Sequence, residues 1–230
     1  MSSAKLYVIA TPIGNLKDIT YRAIEILKSV NLITAEDTRH TQILLNHYEI
    51  KCRVVSYYEY NRFTRIPQII DHLKAGNSVA LVTDAGTPGI SDPAYRLIRS
   101  AIENDITVEA IPGAAAFLTA LVSSGLPTDT FKFIGFLPPK KGRQSKLRRL
   151  AQSEGTLILY ESPHRIIKTL QDIHDHLGNR PAVIGRELTK LHEEIVRGKV
   201  SDLLTHFKKK KPIGEFVLLI GKDDPNVYFN

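Results

Sequence analysis

Short runs of apolar, β-branched residues alternate along the chain with segments in which apolar residues recur at helical spacing. In the first half, the pattern predicts strands at 5–10, 79–83 and 108–111, and helices at 19–30, 66–73 and 94–102. Strands that alternate with helices in this way form a largely parallel sheet covered by helices on both faces. Ligands of such sheets bind at the carboxyl ends of the strands, where candidate functional residues are therefore sought.

The pattern is interrupted by turn-forming residues at 125–128 and then starts again. In the second half it predicts strands at 131–136, 156–160, 182–185 and 216–220, and helices at 165–177 and 201–207. We therefore expect an α/β protein with two α/β domains, 1–115 and 116–230.

Composition and cysteine content narrow the class of protein. Of the 230 residues, 43% are hydrophobic and 24% are charged, which excludes collagen-like, coiled-coil and wholly disordered chains. Cys52 is the single cysteine, so an intramolecular disulfide and a cysteine-rich metal cage are excluded, and a reducing compartment is expected. The chain has no apolar run of about 18 residues and no basic, apolar leader. These features predict a cytoplasmic protein without a membrane anchor.

The positive charge is concentrated in two segments. The formal net charge is +7, and residues 140–149 carry six Lys and Arg side chains with no acid among them, while 208–211 form a block of lysines. Such clusters favour a polyanionic partner such as RNA. The alternative is a solvated helix face or loop that keeps the protein soluble.

Three loops of small residues follow predicted strands of the first half, at 11–15, 84–92 and 112–116. Glycine and alanine let a ligand approach the backbone closely, although any one loop could be only a tight turn. The first loop lacks the G-x-G-x-x-G pattern, the chain has no P-loop motif, and none of the three loops contains Lys or Arg. A neutral or zwitterionic, nucleoside-like cofactor therefore fits better than a polyphosphate.

Charged residues also follow predicted strands. Glu36 to Arg39 come after the strand-like 32–35, where the alternative is that Asp37 or Thr38 caps the next helix and Arg39 is solvated. Glu161 to Arg165 follow another strand, where Ser162 as a helix cap is the alternative. His192, Glu193 and Glu194 match no metal-ligand spacing, so no metal is expected.

Seven motifs, in this order and spacing, resemble the tetrapyrrole methylase family of class III S-adenosylmethionine-dependent methyltransferases. They are YVIATPIGNLKDIT, AEDTRHT, VTDAGTPGISDP, IPGAAA, LYESPHRI, GRELTKLHEE and GEFVLLIG. The resemblance is to the branch that methylates bacterial small-subunit ribosomal RNA. It implies two α/β domains with the cofactor cleft between them, a homodimer, and methyl transfer to the ribose 2′-hydroxyl of a cytidine in the decoding region.

The resemblance also implies which residues contact S-adenosylmethionine. They are Pro12, Ile13, Gly14, Asp84, Ala85, Gly86, Thr87, Pro88, Ile90, Ala115 and Ala116. Tetrapyrrole methylases proper have a glycine-rich first loop and Gly-Asp-Pro in the second, whereas this chain has TPIG and GTP there. These departures argue against a porphyrin-precursor substrate. A tetrapyrrole-precursor methylase and a non-catalytic ribosome- or RNA-binding protein nevertheless stay open as alternatives.

Methyl transfer needs an aligned nucleophile and a group that takes its proton. Glu161 is the first candidate, because the resemblance puts it beside the cofactor, and Glu187 and Lys190 are the next. The competing account is that Glu161 only pairs with Arg165, four residues on. The residues expected to contact RNA are Arg39, Lys140, Lys141, Arg143, Arg148, His164, Arg165 and Arg186.

Overall fold

The computed structural model describes residues 4–209 and 211–229. The chain divides into two compact units, 1–115 and 116–230, and each contains one five-stranded sheet. Lys210, which belongs to the predicted basic block at 208–211, lies outside the described residues, as do Met1 to Ser3 and Asn230.

The first unit is a parallel sheet with helices between its strands. Its strands pair in the order β3-β2-β4-β1-β5, and every pair is parallel. The strands are β1 Lys5–Ile9, β2 Leu32–Ala35, β3 Val54–Ser56, β4 Val79–Leu81 and β5 Thr107–Ile111; the helices are α1 Tyr21–Ser29, α2 Thr38–His47, α3 Arg62–Lys74 and α4 Ala94–Glu103.

The side-chain alternation of β1 explains why both faces of this sheet are covered. Leu6 and Val8 pack into one hydrophobic cluster together with residues of α3 and α4, whereas Ile9 packs into a second cluster with residues of α1 and α2. Successive side chains of a strand point to opposite faces, so a strand that is apolar at both kinds of position needs cover on both. The predicted parallel sheet is thus confirmed, and its five strands all end at one carboxyl edge.

The second unit contains a mixed sheet in the order β6-β7-β10-β8-β9. Only β6 and β7 pair in parallel, and the other pairs are antiparallel. The strands are β6 Phe131–Phe136, β7 Thr156–Glu161, β8 Pro181–Arg186, β9 Glu194–Lys199 and β10 Phe216–Ile220; the helices are α5 Ala116–Ser124, α6 Arg143–Leu150, α7 Ile166–Leu177 and α8 Val200–Lys209.

The elements that the sequence pattern did not predict are β3, α5, α6 and β9. The edge strand β9 is half-exposed along most of its length and has a mixed polar sequence, so it carries no apolar run. The basic segment proves to contain a helix, α6, whose buried positions include Arg143, Leu147 and Leu150. Each predicted strand was found, with bounds shifted by at most two residues at either end.

Candidate functional site

The three small-residue loops of the first unit are joined to one another by hydrogen bonds. The backbone N–H of Thr11 donates to the carbonyl of Gly86 at 2.9 Å, and the N–H of Gly86 donates back to Thr11 at 3.1 Å. The hydroxyl of Thr87 donates to the carbonyl of Ala114 at 3.1 Å, which ties the second loop to the third. Loops that are far apart in sequence therefore form one surface at the carboxyl edge of the sheet.

Small residues are required where these loops approach one another. A Cβ atom on Gly113 would lie 2.9 Å from the Cβ of Ala10, closer than real Cβ contacts allow. Gly86 has a φ of 82° and a hypothetical Cβ only 3.4 Å from Ile13, so both its backbone and its surroundings favour glycine. The loops are thus tightly packed at their base, while Gly14, Ala85 and Ile90 are exposed at the surface.

The chemistry of this surface suits a ligand without a large negative charge. None of the three loops contains Lys or Arg, and the carboxylate of Asp84 accepts the backbone N–H of Asp37 at 2.9 Å. Exposed backbone with no cation beside it can bind a neutral or zwitterionic molecule, but it gives a polyphosphate little compensation for its charge. The residues present therefore fit the cofactor that the sequence motifs imply.

Glu36 is a further carboxylate at this edge, and it is not among the residues that the sequence predicts to be catalytic. It follows β2, is half-buried, and its Oε2 accepts the hydroxyl of Thr83 at 3.0 Å. Burial raises the pKa of Glu36, and the negative charges of Asp84 and Asp92 raise it further. Among the described residues, none donates a hydrogen bond to its Oε1. The signal available in the sequence was only its place at a strand end.

Asp37 and Arg39, which follow Glu36, have a local structural role. The carboxylate of Asp37 accepts the backbone N–H of Arg39 at 2.8 Å and so caps α2. The hydrogen bonds from Arg39 lower the pKa of Asp37 to about 2. The Arg39 side chain is 90% exposed and pairs with the same carboxylate. The structure thus agrees with the alternative that Asp37 caps the next helix and that Arg39 is solvated. The Arg39 guanidinium faces water, where a ligand could reach it.

The structure disagrees with the prediction that Glu161 accepts a ribose proton directly. Glu161 is only 2% exposed, and both carboxylate oxygens are occupied. Its Oε2 accepts the hydroxyl of Thr169 at 2.6 Å, and its Oε1 accepts the N–H of Ser162 at 2.9 Å and lies 3.3 Å from Nε of Arg165. A carboxylate that is buried and surrounded by donors is not available to a substrate, so Glu161 is part of the interior of the second unit.

Arg143, which was predicted to contact RNA, belongs to the same buried network. It is 5% exposed, and its guanidinium donates to Asp172 at 2.7 Å and to the hydroxyl of Thr169 at 2.7 Å. The helix turns Arg143 toward the core and its basic neighbours toward water, so the structure gives Arg143 a structural role. Its contact with RNA stays a prediction that this buried pairing does not support.

Glu187, Lys190 and Glu215 form an ion-paired group after β8. Nζ of Lys190 lies 2.9 Å from a carboxylate oxygen of each glutamate. Although burial acts to lower the pKa of Lys190, its two acidic partners raise it overall, so the amine stays protonated. Burial likewise acts to raise the pKa of Glu187, but the hydrogen bonds from Lys190 and Glu215 lower it overall. The lowered pKa makes Glu187 a weaker base, and the raised pKa keeps Lys190 in its protonated form, so neither group is as ready to accept a proton as the sequence suggested.

The other predicted RNA-contacting residues differ in how accessible they are. Arg186 pairs with Glu194 at 2.8 Å, and only 16% of its side chain is exposed. Arg165 donates to the carbonyl of Leu137 at 2.7 Å and is 30% exposed. The residues that face solvent are Lys140, Lys141, Arg148 and His164. A basic, exposed segment thus remains before and along α6, without Arg143.

The described residues contain neither a cluster suited to a metal ion nor a membrane-spanning helix. Within residues 4–209 and 211–229, no group of three or more His, Cys, Asp or Glu side chains could hold a metal ion. In the same ranges, no helix is both long enough and apolar enough to cross a membrane.

Comparison with known sequences identifies a family and named relatives. Residues 5–204 match the family Tetrapyrrole (Corrin/Porphyrin) Methylases. A protein of Synechocystis named "Ribosomal RNA small subunit methyltransferase I" is 50% identical over 96% of this chain and 80% of its own length. A protein of Thermotoga maritima with the same name is 48% identical over 95% of this chain and 99% of its own length. The resemblance read from the seven motifs is confirmed.

Solved structures share the fold at much lower sequence identity. The cobalamin biosynthetic enzyme cobalt precorrin-4 methyltransferase has a TM-score of 0.72 with 20% identity, and 94% of each chain is covered. The uroporphyrin-III-C-methyltransferase of Thermus thermophilus has a TM-score of 0.68 with 18% identity, over 95% of this chain and 94% of the other. The predicted α/β fold class with two sheets is thereby confirmed.

Proposed function

The chain belongs to the tetrapyrrole methylase family, and on that premise we propose that it methylates ribosomal RNA of the small subunit with S-adenosylmethionine as the methyl donor. The observation that carries the proposal is the single surface formed by the loops 11–15, 84–92 and 112–116. Two relatives that are 50% and 48% identical to this chain, over 96% and 95% of its length, are named as ribosomal RNA small subunit methyltransferases.

The residues proposed to hold the cofactor are those of the three joined loops. Backbone groups near Gly14, Ala85 and Ile90 are exposed for binding, while Pro12, Ile13 and Pro88 are buried and support them. The packing of Gly86 and Gly113 fixes the shape of the surface before a ligand arrives. When bound, S-adenosylmethionine supplies a methyl group already activated by a sulfonium.

The proposed acceptor is the ribose 2′-hydroxyl of a cytidine in the decoding region. For its proton, the geometry favours Glu36, because Oε1 of this carboxylate has no donor among the described residues and its pKa is raised. A carboxylate with a raised pKa is a stronger base than an ordinary one once it is ionised. Thr83 holds the side chain through Oε2, which leaves Oε1 for the substrate. Glu187 and Lys190 are the alternatives for this role.

The exposed side chains Arg39, Lys140, Lys141, Arg148 and His164 are proposed to contact RNA phosphates. We further propose that the protein acts as a homodimer in the cytoplasm, where its ribosomal substrate is found.

The test is methylation of purified small ribosomal subunits with isotope-labelled S-adenosylmethionine, followed by mass-spectrometric mapping of the modified nucleotide. The parent protein should label one ribose of small-subunit RNA. Glu36→Gln should bind the cofactor normally, yet its single-turnover rate should fall by roughly 10²-fold. Glu25→Gln, at an exposed position of α1, is the control and should match the parent.

The pH dependence distinguishes the proton acceptor from a merely structural glutamate. The ionised form of Glu36 is the active one, so the parent rate should rise with pH through the pKa of this group and level off above it. That rise should lie above the ordinary glutamate range, because burial raises the pKa. No transfer to RNA by the parent would refute the proposed function, and an unchanged rate in Glu36→Gln would refute the role of Glu36 alone.

A further inference from the structure

Exposed aromatic side chains follow β3 closely: two lie in the loop that leads into α3, and one lies in the first turn of α3. Tyr60 is 91% exposed, Phe63 is 76% exposed and Tyr58 is 40% exposed. Single exposed hydrophobic side chains are ordinary on protein surfaces, but here three large rings are exposed within six residues, and the ring centroids of Tyr58 and Tyr60 lie 6.4 Å apart. Neither the proposed cofactor site nor the proposed proton acceptor uses any of them. We call Tyr58, Tyr60 and Phe63 the aromatic loop.

The aromatic loop is held in place by its neighbours. Tyr57 is 2% exposed; its N–H donates to the carbonyl of Ala35 at 2.7 Å, and its hydroxyl donates to the carbonyl of Pro93 at 3.0 Å. Asn61 accepts the N–H of Tyr58 at 2.9 Å through its side chain and donates to Ser56 at 3.1 Å. One tyrosine anchors the loop in the core while the next aromatic rings are presented to solvent, so their exposure belongs to an ordered structure.

Its position follows from the strand order of the first sheet. The sheet runs β3-β2-β4-β1-β5, and all strands end at the same edge. Glu36 follows β2, next to β3, and the loop 84–92 follows β4, one strand further. Neighbouring strands are about 4.8 Å apart, so β3 and β4 are separated by about 10 Å. A ligand that extends from the cofactor loops past Glu36 therefore arrives at the aromatic loop.

The charges around these rings favour an anionic, aromatic ligand. The guanidinium carbon of Arg62 lies 4.7 Å from the centroid of the Phe63 ring, but this side chain is only 14% exposed and its guanidinium pairs with Glu59, so Arg62 orients the ring. The cation left for a phosphate is Arg65, which donates to the neutral side chain of Gln68 at 2.9 Å. Residues 57–65 contain two arginines and one acid. Aromatic faces beside guanidinium groups are the usual means by which proteins bind unpaired nucleotides, since each base has a π-face and each phosphate a charge.

We propose that the aromatic loop is a stacking surface for unpaired bases that flank the methylated nucleotide. The identity of the ligand as RNA rests on the proposed function, whereas the stacking itself can be measured without catalysis. Because stacking does not read base edges, the surface should accept many sequences but should require that the bases be unpaired.

The chain contains no tryptophan, so one substitution provides a direct probe of stacking. Tyr60→Trp keeps a flat ring at the most exposed position of the loop and introduces a single indole. A single-stranded RNA of about ten nucleotides should quench its fluorescence saturably, and a duplex of the same length should quench it much less. Equal quenching by both, or quenching by neither, would overturn the inference.

Affinity measurements on variants that remove or keep the ring distinguish a loss of stacking from a general loss of structure. Tyr60→Ala and Phe63→Ala should each weaken binding of the same single-stranded RNA by about 5- to 150-fold, as measured by fluorescence anisotropy. Tyr60→Phe keeps the ring and should bind within about 2-fold of the parent. Ile102→Ala removes a 57% exposed apolar side chain at the far end of α4 and should change nothing.

Two further measurements distinguish RNA from a second subunit as the partner of the aromatic loop, and distinguish the stacking surface from the proposed function. If Tyr60→Ala lowers the oligomeric mass in sedimentation and leaves RNA affinity unchanged, the loop is a subunit contact and the inference fails. If Tyr60→Ala raises the KM for ribosomal subunits and leaves the rate at saturation unchanged, the inference is supported. Stacking without any methyl transfer by the parent protein would support the surface and refute only the proposed function.

Discussion

The burial of Glu161 leads to a prediction that separates a structural carboxylate from a catalytic one. Its three partners, Ser162, Arg165 and Thr169, all act as donors toward it. The hydroxyl of Thr169 donates to Glu161 and accepts from Arg143. If it instead accepted from an amide at position 161, its own hydrogen would lose its acceptor. In Glu161→Gln, the amide has one acceptor oxygen and its NH₂ group must face a donor in either orientation. The substitution preserves the shape of the side chain but removes the charge and one buried hydrogen bond.

The expected cost follows from the kind of bonds lost. Hydrogen bonds to charged groups contribute about 1.5–3 kcal/mol, and an unsatisfied buried hydroxyl costs a similar amount. Arg165 is partly solvated, so the loss of its ion pair with Glu161 adds little to the loss of stability. We therefore expect Glu161→Gln to lower the free energy of unfolding by about 2–3 kcal/mol. For a chain of this size that corresponds to a fall in Tm of roughly 4–12 °C.

The matched control is Glu103→Gln, which breaks another Glu–Arg pair at a spacing of four residues. The Glu103 side chain is 56% exposed, whereas that of Glu161 is 1% exposed, so burial is the main difference. The control should cost only about 0.3–0.5 kcal/mol. Thermal unfolding followed by far-UV circular dichroism, with urea titration by tyrosine fluorescence, measures both. A stable Glu161→Gln variant with a 10²-fold loss of methylation would show that the structural reasoning is wrong.

Two further predictions concern the exposed cations and the cofactor loops. Neutralising Lys140, Lys141 and Arg148 together should weaken RNA binding and flatten its salt dependence, measured by anisotropy at several salt concentrations, whereas cofactor affinity should not change; an unaltered salt slope would mean that this segment is only a solvated surface. Gly86→Leu should abolish S-adenosylmethionine binding in calorimetry, while Gly76→Leu, which has a similar positive φ but no atom within 4 Å of its Cβ, should lose stability and keep binding. Equal cofactor affinity in the two variants would contradict the assignment of the loops.

Local sequence patterns determined the strands and the loops that follow them. The apolar runs of β1 and β4 could be recognised because a strand covered on both faces needs apolar side chains at successive positions. Once strand ends were located, the loops 11–15, 84–92 and 112–116 could be assigned to one edge, since parallel strands end together. By contrast, β9 was missed, because an edge strand with one half-exposed face has no distinctive run.

Tertiary structure decided the state of each charged side chain. Arg143 and Lys141 look alike in a basic segment, yet only Arg143 meets Thr169 and Asp172, 26 and 29 residues away. Glu161 ends a strand and Glu36 follows one, yet donors surround Glu161, whereas no described residue donates to Oε1 of Glu36, whose Oε2 is bound by Thr83, 47 residues away. The charge state and accessibility of a carboxylate depend on burial and on partners distant in sequence. A local pattern carries no information about those partners, so the assignment of catalytic and structural carboxylates had to wait for the folded chain.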